Sequence, residues 1–349
     1  MAFDWTQDFA VTFEFWQVDT GTWGDLRRLM TVTEMGMDWD LSKDTLGSAS
    51  LECAEELGEV YVRAYLLAEQ GSERARECLG TFMVQTSEFA FDGKAGRYSA
   101  DAYTPLLEMS ESMPEIGYTT PADDLILERA VKIARQHTRA PVSNAAGSTA
   151  KCGDFVANLG DSWLDFASDL LAVAVYRYMV GPRGEVYVQP VGDAASMRPV
   201  HTFRDDEISI LCPDLSSESD LYGMPNVVEV VYGNKVARAV NDDPDSIIST
   251  KRRGREVVKR ITNPDLSANP TDEEAQAYAV NELRNLSTRE RTIEFSHGYV
   301  PNVWLGDCVR IEYRRAGHFE NVVIQKRTIE CKTELLITET ATYTERMWR

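Results

Sequence analysis

Glu59-Val-Tyr-Val-Arg-Ala-Tyr-Leu-Leu-Ala68, the polar tip Glu69-Gln-Gly-Ser-Glu-Arg74 and Cys78-Leu-Gly-Thr-Phe-Met-Val-Gln85 read as two strands around a turn. Their β-branched and aromatic side chains suit a pleated, half-buried surface, and the polar tip has no core to join. The same reading extends outward. Phe9-Ala-Val-Thr-Phe-Glu-Phe-Trp-Gln-Val18 alternates apolar and polar residues before the turn Asp19-Thr-Gly21. Gly47-Ser-Ala-Ser-Leu-Glu-Cys-Ala54 puts Ala49, Leu51 and Cys53 on one side, and Asp92-Gly-Lys-Ala-Gly96 forms a hairpin tip before Arg97–Tyr103. Short strands at regular spacing predict a small barrel or sandwich over residues 1–110.

Residues 111–207 change character. Pro121 to Gln136 has the apolar spacing of an amphipathic helix, with Leu125, Ile126, Arg129, Ala130 and Ile133 on one face. A loop rich in Gly, Ser and Asn spans Pro141–Gly153. Ser162 then caps a second helix to Ala174, with Asp165 at its third position. Tyr176–Val180, Gly181-Pro-Arg-Gly184 and Glu185–Pro190 read as a hairpin, so this part is a helix-plus-hairpin α/β insert. Residues 208–349 return to β. Val227–Tyr232, Arg291–Ser296, Cys308–Tyr313, Asn321–Ile329 and Leu335–Tyr343 are strands, and 271–286 is a helix whose Thr271 and Glu274 form a capping box. The fold class expected is α+β, predominantly β, with a β module at each end of the chain and an insert between them.

Composition narrows the function. The 349 residues carry a net charge of −20, and 43% are hydrophobic, which is ordinary globular chemistry. The acidity is uneven: residues 1–125 hold 24 acidic and 8 basic side chains, residues 251–349 hold 15 and 17. So negative a chain does not coat nucleic acid or bind an anionic membrane, because both need a positive face. No apolar run approaches the ~20 residues of a membrane span, so no stable membrane insertion is expected. Met1-Ala2-Phe3-Asp4-Trp5 has neither a basic start nor an apolar stretch, so no secretory leader is expected there. Cys53, Cys78, Cys152, Cys212, Cys308 and Cys331 have no metal or redox spacing and read as small apolar residues of a reducing cytoplasm.

Chemistry-bearing motifs are sparse. His137, His201, His297 and His318 stand in no zinc motif, and the nucleophile-elbow, phosphate-loop and dinucleotide patterns are absent. No metal, cofactor or catalytic residue is therefore assigned. Acid pairs such as Asp38/Asp40, Asp123/Asp124 and Asp205/Asp206/Glu207 are numerous, as expected by chance in an acidic chain. Asn241-Asp-Asp-Pro-Asp245 lacks calcium-loop spacing and reads as a turn. Lys251-Arg252-Arg253-Gly254-Arg255 is a basic run without interleaved aromatics, and it reads as a solvated loop or one that docks on an acidic neighbour or the acidic end of another copy rather than on nucleic acid.

The order of segments resembles the baseplate or tail-tip hub proteins of bacteriophages, a group that includes late-control proteins and the N-terminal hub region of tail-associated proteins. The helix at 271–286 is followed by Arg291–Tyr313, which contains a His/Pro turn and Gly306-Asp307-Cys-Val309, and then by Asn321-Val-Val-Ile-Gln-Lys-Arg-Thr-Ile329. Asp40–Glu52, Val60–Tyr65 and Leu79–Val84 are similar to a first tube-like barrel. Gly160–Ala167 with Gly184–Pro190 is similar to the inserted domain.

That resemblance implies two tube-like barrels, 1–110 and 208–349, flanking an α/β domain at 111–207. It implies a structural, non-enzymatic homotrimer whose six barrels match a hexameric tail tube and line or close the DNA channel. The implied partners are the distal tail protein, the C-terminus of the tape-measure protein and a tip fibre or plug, with DNA only in transit. The implied location is the virion tail tip, after synthesis in the host cytoplasm. Many relatives continue into a peptidase, lysozyme-like or fibre region. This sequence ends at Arg349, so those activities are expected in other proteins. Asp38, Asp40 and Glu52 are the expected channel-lining acids. Trp348, Lys251, Arg252 and Arg253 are the expected subunit or partner contacts. Two other readings stay open: a carboxylate-based cell-wall hydrolase, which needs two converging acids in a cleft, and a receptor- or carbohydrate-binding module, which needs exposed aromatics over a polar groove.

Overall fold

The computed structural model describes residues 3–91, 93–206, 210–219, 221–266, 270–332 and 335–348. Asp92 of the expected hairpin tip, Glu207 of the acid triple, Met1-Ala2 and Arg349 lie outside them. The chain is predominantly β. It begins with seven strands, β1 (Ala10–Val18), β2 (Asp25–Arg28), β3 (Val32–Asp40), β4 (Gly47–Cys53), β5 (Tyr61–Gln70), β6 (Glu73–Phe91) and β7 (Gly96–Tyr103). Helices α1 (Leu107–Ser110), α2 (Ile126–His137) and α3 (Trp163–Val173) precede the hairpin β8 (Tyr176–Val180) and β9 (Val186–Pro190). Then come β10 (His201–Arg204), β11 (Leu211–Ser219), β12 (Val227–Tyr232), β13 (Lys235–Val240), α4 (Thr250–Arg253), β14 (Val258–Ile261) and α5 (Asp272–Leu286). The chain finishes with β15 (Thr288–His297), β16 (Cys308–Glu312), β17 (Asn321–Glu330) and β18 (Ile337–Arg346).

The chain forms two compact units. The larger comprises Met1–Gly192, Ser196–Leu215 and Glu294–Ala341. Its sheet runs β17-β3-β4-β7-β6-β5-β1-β2, antiparallel throughout, with β16 beside β17 and β10 parallel to β16. A strand from the last third of the sequence thus pairs directly with one from the first: Thr328 stands opposite Asp38 and Ile329 opposite Met37. The order is open at β2, and no pairing among the described residues closes it. Alternation explains the strands. Met35, Met37 and Trp39 of β3 are buried with Ala49, Leu51 and Cys53 of β4 and Ala100 and Ala102 of β7, while the intervening polar residues face outward. The Trp39 ring meets Phe82 at 5.3 Å and Trp304 at 5.0 Å between centroids.

The helix-plus-hairpin insert belongs to this unit. Ile126, Leu127, Ala130, Val131, Ile133 and Ala134 are buried along α2, and the Tyr178 hydroxyl of β8 donates to the Ala130 carbonyl at 2.7 Å. Ser162 and Asp165 form the capping box of α3. Arg63, almost fully buried, ties β5 to the hairpin turn by donating to Thr81, Asp25 and the Arg183 carbonyl at 3.0, 2.9 and 3.0 Å. The second unit comprises Asp193–Ala195, Ser216–Ile293 and Thr342–Arg349. Its sheet β13-β12-β14 carries α5 on one face. Val228, Val230, Ala237 and Ala239 pack there against Ala275, Ala279 and Leu283. The expected capping box of Thr271 and Glu274 starts α5.

Candidate functional site

The outward side of β17, β3, β4, β7 and the end of β6 gathers carboxylates and small hydroxyls on one face. Strand register fixes the pattern. Glu34 is opposite Glu52, Gly36 opposite Ser50, and Asp38 opposite Ser48. Across the next pair, Ser50 meets Asp101 and Glu52 meets Ser99; beyond that, Asp101 meets Thr86 and Ser99 meets Glu88. On the other flank Asp38 meets Thr328, Asp40 meets Lys326, and Gly36 meets Glu330. The sequence-predicted acids Asp38, Asp40 and Glu52 therefore share one face. Glu34, Glu88, Asp101 and Glu330 join them, and sequence reading missed these four. Their signal was alternation with the buried Met35, Met37, Ala100 and Ile329, which identifies the solvent side once the strand is known.

The three predicted acids differ in setting. Asp40 is buried, and it accepts from the Ser42 amide and hydroxyl at 2.9 and 2.6 Å and from Lys326 at 2.9 Å. Burial pushes its carboxyl up, but the Ser42 bonds and the Lys326 ammonium outweigh that, so its pKa lies below the ordinary aspartate value. Asp38 is exposed and accepts from the Thr328 hydroxyl at 2.7 Å. Glu52 is exposed. Glu34, Glu52, Glu88 and Asp101 have no ion-pair partner within salt-bridge distance among the described residues, whereas Glu330 pairs with Lys332 at 2.7 Å. A shallow recess of about 210 Å³ lies between Glu34, Glu52 and Glu330, with Ser50 and Ser99 in its wall. Such a face can repel a polyanion and offers it short, weakly adhesive side chains.

The predicted contact residues lie in the second unit. Lys251, Arg252 and Arg253 form α4, ended by Gly254 in the left-handed conformation. Lys251 pairs with Asp242 at 3.0 Å. Arg253 turns inward, donating to the Met224 carbonyl at 2.7 Å and the Leu221 carbonyl at 3.3 Å. Arg252 is exposed. Trp348 is half-buried against the α5 core, with the Arg284 guanidinium 5.7 Å from its ring centre. The Asn241–Asp245 segment is a turn: Asn241 accepts from the Asp243 amide, and Asp243 from the Asp245 amide.

A buried charged cluster lies deeper in the larger unit, and sequence reading did not single it out. Glu339 is fully buried between His297 Nε2 and Arg327 Nε, each 3.3 Å from its Oε1. Arg327 also donates to the Val303 carbonyl, and its guanidinium stands 5.3 Å from the centre of the Trp304 ring.

Comparison with protein-family models and with curated proteins gives no match. Solved structures do match in fold. A tail protein from Neisseria meningitidis MC58 aligns over 97% of this chain and 98% of its own, at 12% identity and a TM-score of 0.62. The 43 kDa tail protein of prophage MuSo2 from Shewanella oneidensis aligns over 94% and 97%, at 11% identity and a TM-score of 0.60. A chain of the Francisella PdpA–VgrG complex aligns over 97% of this chain and 58% of its own, at 9% identity and a TM-score of 0.57. The resemblance read from the order of segments holds at the level of fold: this chain shares the fold of these tail proteins.

Proposed function

We propose that the chain is a structural protein of a bacteriophage tail tip, a hub that adapts the tail tube to the tip. The observation that carries this reading is the likeness in fold to two tail proteins, one of them from a prophage, along nearly the whole chain. In this reading three copies assemble, each supplying two tube-like β modules from 1–110 and 208–349, with 111–207 as the inserted domain. Six modules then meet a hexameric tube. The distal tail protein, the tape-measure C-terminus and a tip fibre or plug are its neighbours in the virion. The chain acts by shape and charge and carries no chemistry of its own.

The acidic face supports a role beside passing DNA. A duplex carries one charge per ~1.7 Å, and cations on a channel wall would hold it by releasing its counterions. Lys326 and Lys332 are engaged by Asp40 and Glu330, and an acidic wall spaced by Ser and Thr leaves little such foothold. Glu34, Asp38, Glu52, Asp101 and Glu330 are the residues proposed to border the conduit.

Three measurements test this. Native mass spectrometry should find three copies per particle, and a chain labelled at its insert should locate to the tail tip by electron microscopy. A species that stays a single copy and is missing from the tail would sink the reading. In phage carrying Glu34→Lys, Glu52→Lys and Asp101→Lys together, particles should assemble and eject DNA more slowly, with the delay relieved by salt.

A further inference from the structure

The far half of β6 ends in an unfinished sheet edge. β5 covers β6 only as far as Met83, opposite Tyr61, and the Val84 amide donating to the Val60 carbonyl at 2.9 Å is the last link on that side among the described residues. From Gln85 to Phe91 the strand pairs with β7 alone among the described residues. A bulge between Val84 and Thr86 sets Gln85 outside the pairing and starts this free stretch; bulges re-aim a strand in this way. The Gln85 Nε2 is buried there without a hydrogen-bond partner.

The side chains along this stretch are not those of a protected edge. After the bulge, Phe89 and Phe91 stand on the same side as Tyr98 and Ala100, which is the core side of the sheet. The core face thus runs past the body of the unit and into solvent, where Phe89 is 56% and Phe91 63% exposed. The Phe89 ring rests on Tyr98 at 4.9 Å between centroids. An open edge with exposed aromatics would pair with any available strand unless it had an intended partner.

The same chain carries a complementary edge. β2 is the last strand of the sheet order and pairs only with β1 among the described residues. Its four residues are exposed, with Leu26 at 55%, and Met30 just beyond is 74% exposed beside a groove of about 210 Å³ lined by Phe13, Phe15 and Leu29. Charge matches too. Arg27 of β2 is exposed and bonds the Gln17 carboxamide, and Glu88 of the free stretch has no ion-pair partner among the described residues.

We propose that the free edge Gln85–Phe91 of one copy docks along β2 of a second copy, seating Phe89 and Phe91 against Leu26 and Met30 and setting Glu88 near Arg27. Main-chain hydrogen bonds extend the sheet from copy to copy, and alternate side chains set the register. The two edges differ, so the contact is head-to-tail and repeats until a ring closes. The inference rests on the self-assembly proposed above and names the surface that performs it.

The test uses the full chain. Phe89 and Phe91 are exposed, so Phe89→Ser/Phe91→Ser should keep the wild-type circular dichroism spectrum. Native mass spectrometry should show multimers for the wild type and self-association weakened roughly tenfold or more in the double variant. Amide exchange should show protection of 85–91 in the multimer and its loss in the variant. Glu88→Lys and Arg27→Glu should each weaken assembly, and the two combined in one chain should recover it, because every contact then carries the reversed pair. A double variant that assembles like the wild type overturns this surface while leaving the hub reading intact. A wild type that stays a single copy at every concentration overturns both.

Discussion

Glu34 and Glu52 stand directly opposite each other across the β3–β4 pair, both on the outward face. Like charges in facing positions destabilise a sheet by roughly 0.2–1 kcal/mol. The pair therefore works against the stability of the isolated chain. Replacing Glu52 with Lys converts repulsion into attraction. The unfolding free energy of Glu52→Lys from urea titration should rise at low salt by about 0.5–1 kcal/mol, and the gain should shrink as salt screens the pair.

Asp40 shows the opposite economy. Its carboxylate satisfies the Ser42 amide and hydroxyl and the Lys326 ammonium. Asp40→Ala should cost about 1–3 kcal/mol at neutral pH. The folded-state pKa lies below the unfolded one. Its contribution is thus fully present above the unfolded value of about 3.9 and disappears as pH falls through the folded value. Urea titrations of both proteins should converge below about pH 4. A constant difference down to pH 2 would contradict the assignment.

Gly80 lets three large side chains meet. A Cβ there would lie 2.6 Å from Phe82, 2.8 Å from Trp39 and 3.0 Å from Met37. These neighbours are buried and cannot swing away. Gly80→Ala should destabilise by about 1–3 kcal/mol through overpacking, seen as a lower thermal midpoint.

The Arg327–Glu339–His297 cluster should behave as a unit. Arg327→Met leaves Glu339 without its strongest cation in a dry setting and should cost about 3–5 kcal/mol. Arg327→Met/Glu339→Met removes both charges and should cost less than Arg327→Met alone. A double-mutant cycle by denaturant unfolding gives the coupling directly.

Capping supplies a local check. Ser162→Ala removes the side chain that accepts from the Asp165 amide at 3.1 Å. The loss should be about 1 kcal/mol. Ser162→Asn should recover most of it in the same assay.

Local patterns carried much of this molecule. The strands around Tyr61–Gln70 and Glu73–Phe91, the capping boxes at Ser162 and Thr271, and the β8–β9 hairpin depend on neighbours a few residues apart, so they are visible in one dimension. β3 escaped because Glu34, Gly36, Asp38 and Asp40 are poor strand formers. Its buried alternate residues, Met35, Met37 and Trp39, outweigh that preference only once a core exists. β13 and β14 were harder to read because Lys235, Arg238, Lys259 and Arg260 interrupt their apolar pattern.

The amino-acid order by itself determined the alternating strands, the capped helices, the acidic first third and an order of segments that resembles tail proteins. Tertiary structure alone decided that β17 lies beside β3, that Asp38, Glu52, Asp101 and Glu330 share one surface, and that Glu339 meets Arg327 and His297 in the interior. The physical reason is that sheet pairing is non-local: backbone hydrogen bonds are alike at every residue, so only side-chain packing across the closed loops selects which edges meet.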